Sequence, residues 1–185
     1  MTGARKPSGS DNIFLTGFMG SGKSTVGPLL ARVRGSDFVD TDVWIERAAA
    51  QSIAKIFSVQ GELAFREMEN RTIAQLCSRT GQVIALGGGA IVNPDNLALI
   101  KGHGLLIYLR TSTEELVRRL APEIGHRPLL AGVATEADLE LRISNLRIAR
   151  EPLYNEAHYV IDTDGKKPET VSSLIQEALK NVGQG

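Results

Sequence analysis

The chain has 185 residues, one Cys, three His, and acidic and basic side chains balanced at 21 each. That length fits one domain with a substantial core, and the charge balance supplies no bulk field toward nucleic acid or an anionic membrane. A disulfide framework is excluded, a His/Cys metal site is disfavoured, and no apolar run nears the roughly 20 residues of a membrane span.

Met1 to Asp11 mixes Gly, Ser, Pro and basic residues without the apolar core of a signal peptide. We therefore expect a flexible tail over 1–11, one domain over 12–182, a short tail over 183–185, a monomer and a cytoplasmic location. Asn12 to Thr16 is a short apolar run of strand type, and a helical pattern follows from Val26 to Arg34, with Val26, Leu29, Leu30 and Val33 as its stripe. Between them, Gly17-Phe18-Met19-Gly20-Ser21-Gly22-Lys23-Ser24-Thr25 fits G-x-x-x-x-G-K-S/T. Strand, glycine-rich loop and helix together predict a phosphate site. Backbone N–H groups around Gly20, Ser21, Gly22 and Thr25 would cradle phosphates, Lys23 would reach the β- and γ-phosphates, and the Ser24 hydroxyl would sit on Mg²⁺.

Asp37 to Asp40 reads as a second strand ending in Asp40-Thr41-Asp42, at the strand's carboxyl end where ligands of open α/β sheets gather. Two acids one residue apart on an extended segment point to opposite sides, so one could face the metal and the other a substrate. The competing reading is a plain helix cap at Thr41 or Asp42 before Val43 to Glu46. Ser52 to Phe57 is a short amphipathic turn, Gly61 breaks the pattern, and a helix from about Glu62 to Arg79 carries Leu63, Ile73, Leu76 and Cys77 on its apolar face. Arg66 and Glu69 share a face of that helix. They form either a solvated ion pair or a fork that binds an anion in a cleft.

Val83 to Leu86 is a third, nearly all-apolar strand running into Gly87-Gly88-Gly89, which would let backbone N–H groups approach a ligand without Cβ interference. A helix from Pro94 through Ile100, a strand over Leu105 to Leu109 and a capped helix from Ser112 or Thr113 to Leu120 follow. Of Arg118 and Arg119 at the end of that helix, at least one is expected to cap its negative pole. Ala121 to Thr135 lacks periodicity, as a mobile lid would, and carries Arg127, of the kind that stabilises charge in phosphoryl transfer. Glu136 to Ala149 is a helix stopped at Glu151-Pro152-Leu153-Tyr154, Tyr159 to Asp162 a fifth strand, and Pro168 to Val182 a last helix. Alternating strands and helices predict a three-layer α/β/α domain with a five-stranded parallel sheet.

A phosphate loop accounts for Mg-nucleotide, and Asp42 is placed to orient or deprotonate a hydroxyl. Arg66, Arg150 and the triple glycine leave anion-binding capacity that an acceptor with both hydroxyl and carboxylate would use. No aromatic pair interleaves with a basic patch, so a nucleic-acid acceptor is not expected.

In this order the Gly17–Thr25 loop, Asp40-Thr41-Asp42, Phe65-Arg66-Glu67-Met68-Glu69, Gly87-Gly88-Gly89, Arg127-Pro128-Leu129-Leu130 and Arg150-Glu151-Pro152-Leu153-Tyr154 resemble the shikimate kinases. These are small P-loop enzymes of the nucleoside-monophosphate-kinase-like group, and the resemblance spans about Asn12 to Lys180. It implies sheet order 2-3-1-4-5 and phosphorylation of the shikimate 3-hydroxyl by ATP with Mg²⁺, a step toward chorismate and the aromatic amino acids. It also implies roles: Lys23 on the phosphates, Ser24 and Asp40 (through water) on Mg²⁺, and Asp42 on the shikimate hydroxyls. Arg66, Arg150 and a glycine among Gly87, Gly88 and Gly89 would bind ring and carboxylate, with Glu69 steadying Arg66. Arg127 would arrive with the lid, and Arg119 would lie against the adenine. Lys166 falls where the family closes the adenine pocket, a place where many members carry arginine. Two rivals are a gluconate-type sugar-acid kinase and a module that binds nucleotide without turnover.

Overall fold

The computed structural model describes residues 11–122, 130 and 132–181. Residues 1–10 of the expected N-terminal tail, the last expected domain residue 182, the expected C-terminal tail over 183–185, and residues 123–129 and 131 of the expected lid, with Arg127 among them, lie outside the described residues. Strands β1 (Asn12–Thr16), β2 (Asp37–Asp40), β3 (Gln82–Ala85), β4 (Gly104–Arg110) and β5 (Tyr159–Asp162) form one all-parallel sheet in the order β2-β3-β1-β4-β5. This is the expected α/β architecture.

Side-chain alternation along the strands divides the core into two layers. Phe14, Ile84, Leu106 and Tyr108 pack against α3 (Ile53–Cys77), α4 (Pro94–His103) and the end of α6 (Glu136–Tyr154). Ile13, Leu15, Val83, Leu105, Ile107 and Leu109 pack against α1 (Lys23–Arg34) and α7 (Pro168–Asn181). Burial on both faces is why these strands read as near-continuous apolar runs. At the sheet's carboxyl edge, β1 runs into the phosphate loop, while Asp40 lies in register with Ala85 on the neighbouring strand. The loops after β1, β2 and β3 are thereby gathered at one edge.

Several boundaries differ from expectation, each for a physical reason. Helix α1 begins at Lys23, because Gly22, in the left-handed region at φ 98°, turns the chain directly into it. Its buried stripe is Lys23, Val26, Gly27, Leu30 and Ala31, which leaves Val33 63% exposed. Gly61 (φ 83°, ψ 171°) kinks α3 and resets the helical phase. The buried face then runs through Phe65, Glu69, Thr72, Ile73, Leu76 and Cys77, and Leu63 is 83% exposed. Helix α6 continues through Pro152 to Tyr154 instead of stopping before it. The carbonyl that loses its N–H partner to the proline belongs to Ile148, a surface residue where water can serve it. At the far end of the expected lid, Leu130 is fully buried with Leu116, Val117 and Leu120 of α5 (Thr113–Leu120) and Leu139 and Ile143 of α6.

Candidate functional site

The phosphate loop is shaped by backbone geometry. Gly20 (φ 79°) and Gly22 lie where an L side chain is strained, and no side chain caps α1. First-turn donors and the positive helix pole therefore face the loop. Lys23 is buried and donates from Nζ to the loop's own carbonyls, Gly17 O at 2.7 Å and Phe18 O at 3.0 Å, which folds the ammonium into the loop's concave side.

The choice between cap and function at the end of β2 dissolves in the geometry. Asp40 itself caps α2 (Thr41–Ala49): its Oδ1 accepts from Asp42 N at 3.0 Å and Val43 N at 3.4 Å, worth about 1 kcal/mol. Its Oδ2 accepts from the Ser24 hydroxyl at 2.6 Å. Asp42 therefore sits in the first turn of α2, not on an extended segment, and the helix turn sends the two acids to different sides. Asp42 lies at the triple glycine, where a Cβ added at Gly87 would meet its Oδ1 at 2.6 Å. Burial, and then the like charge of Asp40, raise the Asp42 carboxyl above its ordinary value, with Lys23 pulling the other way.

Thr41, read from sequence only as a possible cap, is fully buried and accepts the Gly87 N–H on its hydroxyl at 2.8 Å. It ties the loop after β3 to the two acids. Beyond it, Glu69 is 2% exposed and accepts from Arg66 Nη1 at 2.8 Å, while Arg66 Nε and Nη2 donate to Glu62 at 3.3 and 3.0 Å. Burial raises the Glu69 carboxyl, and the Arg66 bond only partly offsets it. Gly89 abuts this guanidinium closely enough that a Cβ there would lie 2.8 Å from Arg66 Nη1. Arg150 reaches the same loop from α6, donating to Gly88 O at 3.2 Å. The triple glycine thus earns its composition by packing against charged side chains on both flanks.

On the other side of the phosphate loop, Arg119 donates to Gly20 O at 3.0 Å and Thr163 O at 3.3 Å, and its Nε donates to Glu115 at 2.8 Å. Arg118 and Arg119 together hold the Glu115 carboxyl down at about 2. Arg118 and Arg119 both lie in the last turn of α5, at its negative pole as expected of at least one of them, and Arg118 is an exposed partner of Glu115. A cleft of about 610 Å³ runs from Lys166 and Arg119 past the phosphate loop to Asp40, Asp42 and Gly88. The structure therefore brings together every expected site residue that it describes, in two groups: Gly20 to Thr25, Arg119 and Lys166 toward one end, and Asp42, Arg66, Gly87 to Gly89 and Arg150 toward the other. Sequence reasoning missed Thr41 as a tether and Glu62 as a second carboxylate on Arg66. The i,i+4 spacing of Glu62 and Arg66 was the available signal for the latter. Among the described residues no cluster of three His, Cys, Asp or Glu could hold a metal. The hard oxygens of Ser24 and Asp40 beside the loop suit a magnesium ion that takes its remaining ligands from phosphate and water.

The family model for shikimate kinase matches residues 19–180. A shikimate kinase of Chlorobaculum parvum is 44% identical over 174 residues, covering 92% of this chain and 91% of its own. Among solved structures, the shikimate kinase of Acinetobacter baumannii in complex with shikimate superposes with TM-score 0.88 at 36% identity, over 95% of this chain and 96% of its own. That of Bacteroides thetaiotaomicron gives TM-score 0.85 at 31% identity, over 92% and 99%.

Proposed function

This chain belongs to the shikimate kinase family and phosphorylates shikimate with ATP in aromatic biosynthesis; from that premise we propose how its own residues divide the work. The observation that carries the reading is the meeting of one raised carboxyl, Asp42, with two guanidinium groups, Arg66 and Arg150, around Gly87 to Gly89 beside the phosphate loop. An acceptor with a carboxylate and a hydroxyl matches those charges.

In this reading the first-turn donors of α1 and Lys23 hold the nucleotide phosphates, and Arg119 and Lys166 line the adenine side. Ser24 and Asp40 hold Mg²⁺, which when bound neutralises charge on the β- and γ-phosphates. Arg66 and Arg150 take the shikimate carboxylate, the former braced by Glu62 and Glu69 so that its planar fork arrives preorganised. The 3-hydroxyl then faces Asp42. As its oxygen bonds to the γ-phosphorus and the bond to the ADP oxygen breaks, the hydroxyl proton passes to Asp42 Oδ. The raised proton affinity of that carboxyl suits the role. Phosphoryl transfer asks mainly for positioning and charge neutralisation, so Lys23 and Arg127 would contribute more than the base itself. We also propose a cytoplasmic monomer acting on small molecules. The 21 acidic and 21 basic residues support the small-molecule acceptor, since they leave no net charge for nucleic acid; no helix among the described residues is long and apolar enough to cross a membrane.

The direct test is ADP release from Mg-ATP with shikimate, with gluconate and with no acceptor. Turnover with shikimate alone is expected. Turnover with gluconate instead would mean that Arg66 and Arg150 do not read the acceptor as described.

A further inference from the structure

Of the run Arg150 to Tyr154, the reaction as described uses only Arg150. The rest of the run is nevertheless built into the site. Tyr154 is fully buried, and its ring stacks on that of Tyr108 at 4.9 Å between centroids. Its hydroxyl donates to Gly88 O at 3.0 Å, the same carbonyl that accepts from Arg150 Nη1 at 3.2 Å. One turn back, Glu151 accepts from Tyr108 Oη at 3.0 Å and from Arg147 Nη2 at 3.4 Å, and Arg147 Nη1 donates to Thr113 Oγ1 at 2.8 Å. Residues 147, 150, 151 and 154 share one face of α6, and that face is fastened to β4, to the start of α5 and to the triple glycine.

The two donors on Gly88 O differ in what a bound acceptor does to them. A ligand carboxylate competes with the carbonyl for the Arg150 guanidinium, because a charge-assisted bond is the stronger one. The Tyr154 hydroxyl has no such competitor in its buried position. A planar trans peptide sets its C=O and the next N–H antiparallel, so holding Gly88 O toward α6 turns the Gly89 N–H away from α6. Gly89 is also the residue that abuts Arg66. The turn around that peptide is closed by Ala90 N donating to Gly87 O at 3.1 Å, but glycines on both sides of it offer little local resistance to rotation, so a bond to the carbonyl from outside the loop adds to its restraint.

We propose that Tyr154 is a positioning residue for the acceptor: its hydroxyl fixes the Gly88–Gly89 peptide while Arg150 exchanges that carbonyl for the substrate carboxylate. This rests on the acceptor-side reading given above. Tyr154→Phe keeps the ring, the stack and the burial and removes the hydroxyl, and with it the bond to Gly88 and the contact with the Arg150 guanidinium. The shikimate KM is expected to rise roughly three- to ten-fold, the span of one neutral hydrogen bond, with kcat and the ATP KM within about two-fold. Tyr108→Phe, which removes the bond to Glu151 but leaves Gly88 held, should move the shikimate KM less. An unchanged shikimate KM in Tyr154→Phe, whatever its Tm, or an equal rise in Tyr108→Phe, would reduce the tyrosine to a packing residue and overturn the proposal. Arg150→Lys in the same assay separates the two readings. No change there with a rise in Tyr154→Phe removes Arg150 from the acceptor site and keeps the Gly88–Gly89 restraint. A rise in Arg150→Lys with none in Tyr154→Phe overturns this inference alone. Equilibrium binding of shikimate to the same proteins gives a readout independent of turnover.

Discussion

Three adjacent glycines make a graded test of the site, because adding one methyl group at each meets a different neighbour. At Gly89 the new Cβ would lie 2.8 Å from Arg66 Nη1, 3.1 Å from Nη2 and 3.3 Å from Cζ. Ordinary contact needs about 3.5 Å, so the guanidinium has to retreat by several tenths of an ångström. The backbone at Gly89 (φ −108°, ψ −2°) accommodates alanine without strain, and Arg66 is a third exposed, so the fold should yield cheaply. What is lost is the placement of one charge-assisted contact to the acceptor. Such a bond contributes about 1.5–3 kcal/mol, or roughly ten- to a hundred-fold in shikimate KM. At Gly87 the Cβ would fall 2.6 Å from Asp42 Oδ1 and 3.1 Å from Glu69 Oε1. Gly87→Ala should therefore lower kcat, by about ten- to a hundred-fold for a displaced base. At Gly88 the nearest atom is Arg150 Nη1 at 3.7 Å, an ordinary contact, and Gly88→Ala should be the mildest of the three. The assay is ADP release against shikimate and ATP separately, with thermal unfolding as the control. Equal effects from all three alanines, or a Gly89→Ala protein with unchanged shikimate KM, would refute the placement of Arg66 and Asp42 against this loop.

Two further outcomes follow from charge. Asp42→Asn should cut kcat by about 10²–10⁴-fold with little change in ATP affinity. Because burial raises this carboxyl in the folded state, its ionisation opposes folding at neutral pH. The same variant should then unfold at a slightly higher temperature, and a clear drop in Tm would contradict the burial argument. His158 Nδ1 accepts the Leu106 N–H at 2.9 Å, and burial, aided by Lys101, lowers its proton affinity. Its contribution to stability is complete above the ordinary histidine value and is lost as the pH falls below it toward the lowered folded value. Denaturant midpoints for wild type and His158→Gln should converge on acidification, and parallel curves across that window would dismiss the histidine.

Much of this protein was legible in the chain itself. Gly20, Gly22, Lys23 and Ser24 announce a phosphate loop, because wrapping main-chain donors round an anion needs glycine at fixed spacing, a cation and a hydroxyl. Alternating apolar runs and helical stripes imposed the parallel sheet, since strands buried on both faces have no other partner for their side chains. Local spacing was less informative wherever a distant contact outweighed local preference. Leu63 fell off the buried face because Gly61 reset the helix phase, and Pro152 stayed inside α6 because Tyr154 stacks on Tyr108, 46 positions earlier in the chain. The roles of Asp40 and Thr41 were likewise undecidable from their neighbours: one carboxylate both caps α2 and receives Ser24, and one hydroxyl holds Gly87. Such bonds join loops that are adjacent only because β2, β3 and β1 lie side by side. The sequence by itself determined which groups were available for chemistry, through residue type and period. Only the tertiary structure decided which carbonyl, carboxylate or guanidinium each would face, because those pairings follow from the order of strands in the sheet and not from distance along the chain.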